Sequence, residues 1–130
     1  MTLPSGYWRR MSPNFPGDPE FMEVVPGLGR VLCSTVVPEF PAKRAPIAVM
    51  YEDAGAGAVR VRIRPQEAWQ IHHYRLEDDF IVWNHGGADY RWDKIEESDL
   101  PDWWPEFRAR AWSRMDRRRR EVDDEFKGEP

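Results

Sequence analysis

Residues 74–95 read YRLEDDFIVWNHGGADYRWDKI, and their alternation decides the fold. Phe80 and Val82 alternate with Ile81 and Trp83, and Tyr90 and Trp92 alternate with Arg91 and Asp93. A period of two marks a β-strand, whose successive side chains point to opposite faces. The acidic link at 76–79 and the Gly-Gly link at 86–87 are too short for a crossover helix. Strands joined this closely run antiparallel. A turn with two central residues at 76–79 places His72 opposite Trp83 and Tyr74 opposite Ile81. A turn at Gly86 and Gly87 places Trp83 opposite Tyr90 and Ile81 opposite Trp92. One face then carries His72, Tyr74, Ile81, Trp83, Tyr90 and Trp92, and is expected to face inward. The other carries His73, Phe80, Val82, Arg91 and Asp93.

The same pattern extends upstream. EFMEVV (20–25) and RVLCSTVV (30–37) flank the turn sequence PGLG, and PIAVMYE (46–52) and AVRVRIRP (58–65) flank DAGAG. In the last run Val59, Val61 and Ile63 point one way and Arg60, Arg62 and Arg64 the other. A five-residue turn at 53–57 pairs Val61 with Val49 and Ile63 with Ile47. Residues 20–95 thus predict an antiparallel β-meander, curled or closed as a small barrel, since closure removes exposed strand edges. SGYWRR (5–10) could supply a further strand.

Flanking segments differ. Residues 1–19 hold Pro4, Pro13, Pro16 and Pro19 and read as an irregular arm, because each proline fixes φ and removes an N–H. Residues 102–126 have helical spacing, with Asp102 as N-cap and Pro105 in the first turn. Phe107, Ala111, Met115, Val122 and Phe126 form the apolar stripe, with Trp104 and Trp112 beside it. The predicted class is mainly β (α+β): a single domain over 1–130 with one C-terminal helix.

Composition narrows the function classes. Seven Trp among 130 residues argue against disorder and for an aromatic-rich core. A net charge of −4 makes nucleic acid an unexpected partner. The one cysteine, Cys33, excludes an internal disulfide and sits in an apolar run as a buried, inert thiol. Neither a membrane-length apolar run nor a leader-like h-region is visible, so a cytoplasmic protein is expected.

The three histidines, His72, His73 and His85, lie in one hairpin. Neighbouring strand residues face opposite ways, so His72 and His73 cannot share a site. His72 and His85 share a face, but no third ligand is near, since Asp89 points away; no metal and no cofactor are expected. His72 remains the candidate acid–base residue. DAGAGAV leads into a strand, not a helix, and reads as a turn and not as a phosphate loop. Arg117, Arg118, Arg119 and Arg120 are followed by Glu121, Asp123, Asp124 and Glu125, and read first as a self-paired helix face.

The next-neighbour meander ending in one helix, the Gly6-Tyr7-Trp8 triplet and the 74–95 hairpins resemble the lipocalins and their small bacterial relatives within the calycin group. The resemblance implies a barrel with an internal small-molecule site; no catalytic motif transfers. Two readings of function follow. The first is a barrel that binds, and could process, a flat or apolar small molecule on Tyr51, His72, Tyr74, Trp83, Tyr90 and Trp92. It requires a cavity of roughly 300 Å³ or more beside His72. The second is a non-enzymatic interaction or assembly protein that uses the Pro-rich arm, Trp103, Trp104 and Arg117–120 to meet a protein partner or a second copy of itself.

Overall fold

The computed structural model describes residues 3–12, 15–37, 39–64 and 67–127. Eight strands follow one another in space as in sequence: β1 (Gly6–Ser12), β2 (Phe15–Val25), β3 (Arg30–Val37), β4 (Phe40–Asp53), β5 (Ala58–Arg62), β6 (Gln70–Leu76), β7 (Phe80–His85) and β8 (Ala88–Ile95). Every neighbouring pair is antiparallel. β8 returns to β1 through Tyr7↔Ile95, Trp8↔Lys94 and Arg9↔Asp93, so the barrel closes. The helix α1 (Trp104–Lys127) follows. No helix among the described residues is long and apolar enough to cross a membrane.

The Pro-rich arm is corrected: its residues supply β1 and the start of β2. β2 pairs with β3 only from Met22 onward, so Pro16 and Pro19 lie where β2 lacks that second ladder. A missing N–H is tolerated there. Beyond Met22, side chains replace the ladder. The Phe21 amide donates to Ser34 Oγ at 3.0 Å, and the Val36 amide donates to the Glu20 carboxylate at 3.1 Å. Pro13 lies outside the described residues.

The β7–β8 register matches the expectation, with Trp83↔Tyr90 and Ile81↔Trp92. Two other hairpins slip by two residues: Tyr74 faces Trp83, not Ile81, and Val61 faces Tyr51, not Val49. An even slip keeps every side chain on its face. Val59 and Val61 are accordingly buried. Ile63 is not: β5 ends at Arg62, and Ile63 is 45% exposed.

Inside the barrel, Leu3, Trp8, Tyr51, Tyr74, Ile81 and Trp92 belong to one core. Outside it, Phe21, Leu32 and Ile95 pack against Trp104 and Ala111 of α1. Of the predicted stripe, Ala111 and Met115 are buried and Phe107 half-buried; the side chains of Val122 and Phe126 lie outside the described residues. The helix starts at Trp104, two residues after Asp102, with Pro105 in its first turn. Glu23, 4% exposed, sits in this layer. Its Oε1 accepts the Trp104 indole N–H at 3.3 Å and an Arg108 N–H at 3.1 Å, which satisfies a carboxylate that would otherwise be costly to bury.

Gly57 closes the β4–β5 turn at φ +70, and its carbonyl accepts the Tyr74 amide at 2.9 Å. A Cβ there would lie 3.1 Å from the Tyr74 carbonyl oxygen. Gly57→Ala is therefore expected to destabilise the fold by about 2 kcal/mol in urea denaturation, through left-handed strain plus this approach. Gly27→Ala, with open space around the added Cβ, should change stability by less than about 0.5 kcal/mol.

Candidate functional site

The two ends of the barrel differ. At the end holding the β4–β5 turn, Leu3, Trp8, Tyr51 and Tyr74 fill the interior. Toward the other end β3 and β4 present small inward residues, Val31, Cys33, Thr35 and Val49, beside a cavity of about 500 Å³. Met22, Val61 and Trp92 complete its apolar wall; Arg10, Glu20, His72 and His85 add polar groups, and Arg62, Glu67 and Gln70 stand near the mouth.

Four of the six residues expected at a ligand site line this cavity: His72, Trp83, Tyr90 and Trp92. Tyr51 and Tyr74 share the inward face but are packed into the core that closes the other end. Burial pushes both phenols above their ordinary range, and the charge of Asp53 adds to the effect. Both are therefore neutral core residues at neutral pH. Tyr74 stacks on Trp83, with ring centres 6.2 Å apart, so it supports the cavity wall from behind.

His72 is held from one side only. The Trp83 indole N–H donates to its Nδ1 at 3.0 Å. An indole nitrogen can only donate, so Nδ1 carries the lone pair and Nε2 carries the proton. That Nε2 is buried and has no hydrogen-bond partner among the described residues. The His85 ring lies 4.3 Å away, centre to centre. Burial lowers the pKa of His72, and the neighbouring His85 and His73 lower it further. His72 is therefore a neutral donor whose one free lone pair is already engaged. That equips it to hold an acceptor atom and leaves it poorly placed to abstract a proton. Asp89 bonds outward to Asn84 at 2.9 Å. Among the described residues no three His, Cys, Asp or Glu side chains are grouped to hold a metal ion.

Sequence reasoning missed most of the cavity lining, Arg10, Glu20, Cys33 and Arg62 among it. Arg10 and Glu20 form an ion pair at 2.5 Å, with Arg10 also lying over the Tyr90 ring. Arg10 shares the parity of the buried Trp8, the one signal that could have placed it inside. Cys33 faces the cavity, which leaves it partly uncovered, yet burial and then Glu20 push its thiol up to about 12. It is no nucleophile at neutral pH.

The residues expected on an interaction surface separate. Trp104 is 1% exposed and belongs to the helix–barrel layer, a correction that follows from its indole bonding Glu23. Trp103 is partly exposed and packs edge-on against Phe21. Arg117, Arg119 and Arg120 are exposed, whereas Arg118 is half-buried in a groove with Arg64, Arg114, Ile47, Ile63 and Met115.

Compared with known proteins, the chain matches no family model, no curated protein and no solved structure. The closed eight-stranded meander with a C-terminal helix is consistent with a lipocalin-like architecture.

His72 should titrate below its ordinary value of 6.5. The unfolded chain then binds the extra proton first, so the stability this residue contributes is full above about pH 6.5 and is lost as pH falls below it. His72→Gln should flatten that part of the pH–stability curve in urea melts. Trp83→Phe frees the Nδ1 lone pair, and NMR titration should show the His72 pKa rising.

Proposed function

We propose that this protein binds a small, largely apolar or flat molecule inside the barrel, with His72 Nε2–H donating a hydrogen bond to it. The observation that carries this reading is the cavity of about 500 Å³ lined by His72, whose buried Nε2–H has no partner among the described residues. The volume lies within the usual range for small-molecule sites, and apolar walls with few polar groups are their usual lining. Trp83, Tyr90 and Trp92 supply flat surfaces, and Val31, Val49 and Val61 an aliphatic one. The engaged lone pair of His72 favours holding a ligand over transforming it.

A neutral fluorescent phenylnaphthylamine should bind with micromolar affinity. Val49→Trp fills the cavity and should weaken that binding by about tenfold or more while the circular dichroism spectrum stays that of the wild type. Unchanged binding in the filled variant would show that the probe sits elsewhere. Native mass spectrometry of the purified protein should detect a bound small molecule.

A second reading, contact with an acidic protein segment, is favoured by the groove where Arg64 of the β5–β6 link meets Arg114 and Arg118 of α1 over Ile47 and Ile63. Its test is the binding of labelled polyglutamate. Salt-sensitive binding abolished by Arg114→Glu with Arg118→Glu supports it, and equal binding by that variant excludes it.

A further inference from the structure

We propose that the ligand of the cavity is a monoanion whose carboxylate is received by Arg62 at the mouth while its apolar body occupies the interior. This rests on the binding reading above and adds the chemical class of the ligand.

Arg62 ends β5, is half-buried, and lines the cavity. Its guanidinium lies over the Trp69 ring, 4.2 Å from the ring centre. Its Nε is buried and has no hydrogen-bond acceptor among the described residues. Other arginines nearby have carboxylate partners: Arg10 with Glu20 at 2.5 Å, Arg60 with Glu52, and Arg64 with Glu67 at 3.9 Å. Among the described residues Arg62 has no such partner. A buried N–H on a cation is costly to leave unpaired, and the Arg62 side chain lines the cavity.

The geometry selects the kind of acceptor. A guanidinium offers two parallel N–H groups, which match the two oxygens of a carboxylate. Contact with the Trp69 ring restrains the guanidinium, so less freedom is lost when the pair forms. The charge count selects a single negative charge. Arg10 and Glu20 cancel, Arg64 and Glu67 cancel, and His72 is neutral, which leaves Arg62 as the uncompensated charge among these groups. A cationic ligand would face that charge across an apolar interior. A second negative charge would find no partner there. His72 Nε2–H remains for a neutral acceptor on the ligand body.

The test is displacement of the neutral phenylnaphthylamine probe by a matched series on one naphthyl-alkyl body: carboxylate, primary amide, alcohol and amine, at neutral pH. In the wild type the carboxylate should bind at least about tenfold more tightly than the amide or alcohol, and the amine most weakly. Arg62→Gln should remove that preference while the alcohol's affinity stays within about twofold. Arg62→Lys should restore only part of it, because an ammonium keeps the charge and loses the fork. Equal affinities across the wild-type series, or a carboxylate preference that survives Arg62→Gln, would overturn the proposal and leave the binding reading standing. If the probe and all four compounds fail to bind, the binding reading falls and this inference with it.

Discussion

The return of β8 to β1 is the constraint on which the rest depends. Three residue pairs, Tyr7↔Ile95, Trp8↔Lys94 and Arg9↔Asp93, turn a meander with two free edges into a barrel with none. Once closed, the strands have an inside whose filling is set by the size of alternate residues. Eight strands enclose an interior just wide enough to be packed with side chains or to hold one small ligand. This chain does both along its axis. Trp8, Tyr51 and Tyr74 pack one end, and Val31, Cys33, Thr35 and Val49 leave space toward the other. The cavity thus lies where β3 and β4 present small inward residues, while Trp83, Tyr90 and Trp92 line it as well.

Closure also explains why β2 and β3 carry apolar residues on both faces. Met22, Val24, Val31 and Cys33 face the interior, while Phe21 and Leu32 face α1. Strands covered on both sides read as continuous apolar runs, as RVLCSTVV does. The helix is then tied at defined points. Glu23 takes Trp104 and Arg108 at its start, and Arg30 takes Asp116 at 2.5 Å two turns further on, with Trp112 stacked beneath the Arg30 guanidinium. The Arg30 pair is partly solvated and contributes little energy alone. Glu23 is buried, and its bonds restrict the helix to one position along the barrel.

Alternation made the meander and the inward face legible from residues 74–95, and the helical spacing of 102–126 made the closing helix legible. Alternation tolerated two misplaced turns because each shifts the register by two residues, an even slip. In the β6–β7 hairpin the Glu77 amide bonds the Phe80 carbonyl, so the two-residue turn is centred on Asp78 and Asp79, one residue later than expected. That position depends on backbone geometry that Glu77, Asp78 and Asp79 do not encode by type. The inward face survived, but His72 now lies beside His85 and receives the indole N–H of Trp83, a diagonal neighbour. The prolines misled because their effect depends on whether a second ladder is present, which only the splayed β2–β3 seam decides. The cavity was illegible for a different reason: it follows from closure and from which small residues meet across the axis, both properties of residues far apart in sequence.

The candidate site turns on where protons and lone pairs lie. A histidine with a free Nδ1 or Nε2 lone pair in an apolar cavity would invite a catalytic reading. Here the bond from Trp83 removes that option, because the indole has no lone pair to offer and fixes His72 as an Nε2–H donor. Burial lowers the pKa and keeps the ring neutral, so the donor carries no net charge into the cavity. Arg10 is neutralised by Glu20 in the same way, and Cys33 stays protonated. The interior therefore holds donors and apolar surface with its charges balanced, and the uncompensated Arg62 stands at the mouth. Such an arrangement favours a molecule that enters apolar end first and leaves its polar group at the rim. Chemistry inside the barrel would need a base or nucleophile that His72 and Cys33, in these protonation states, do not provide.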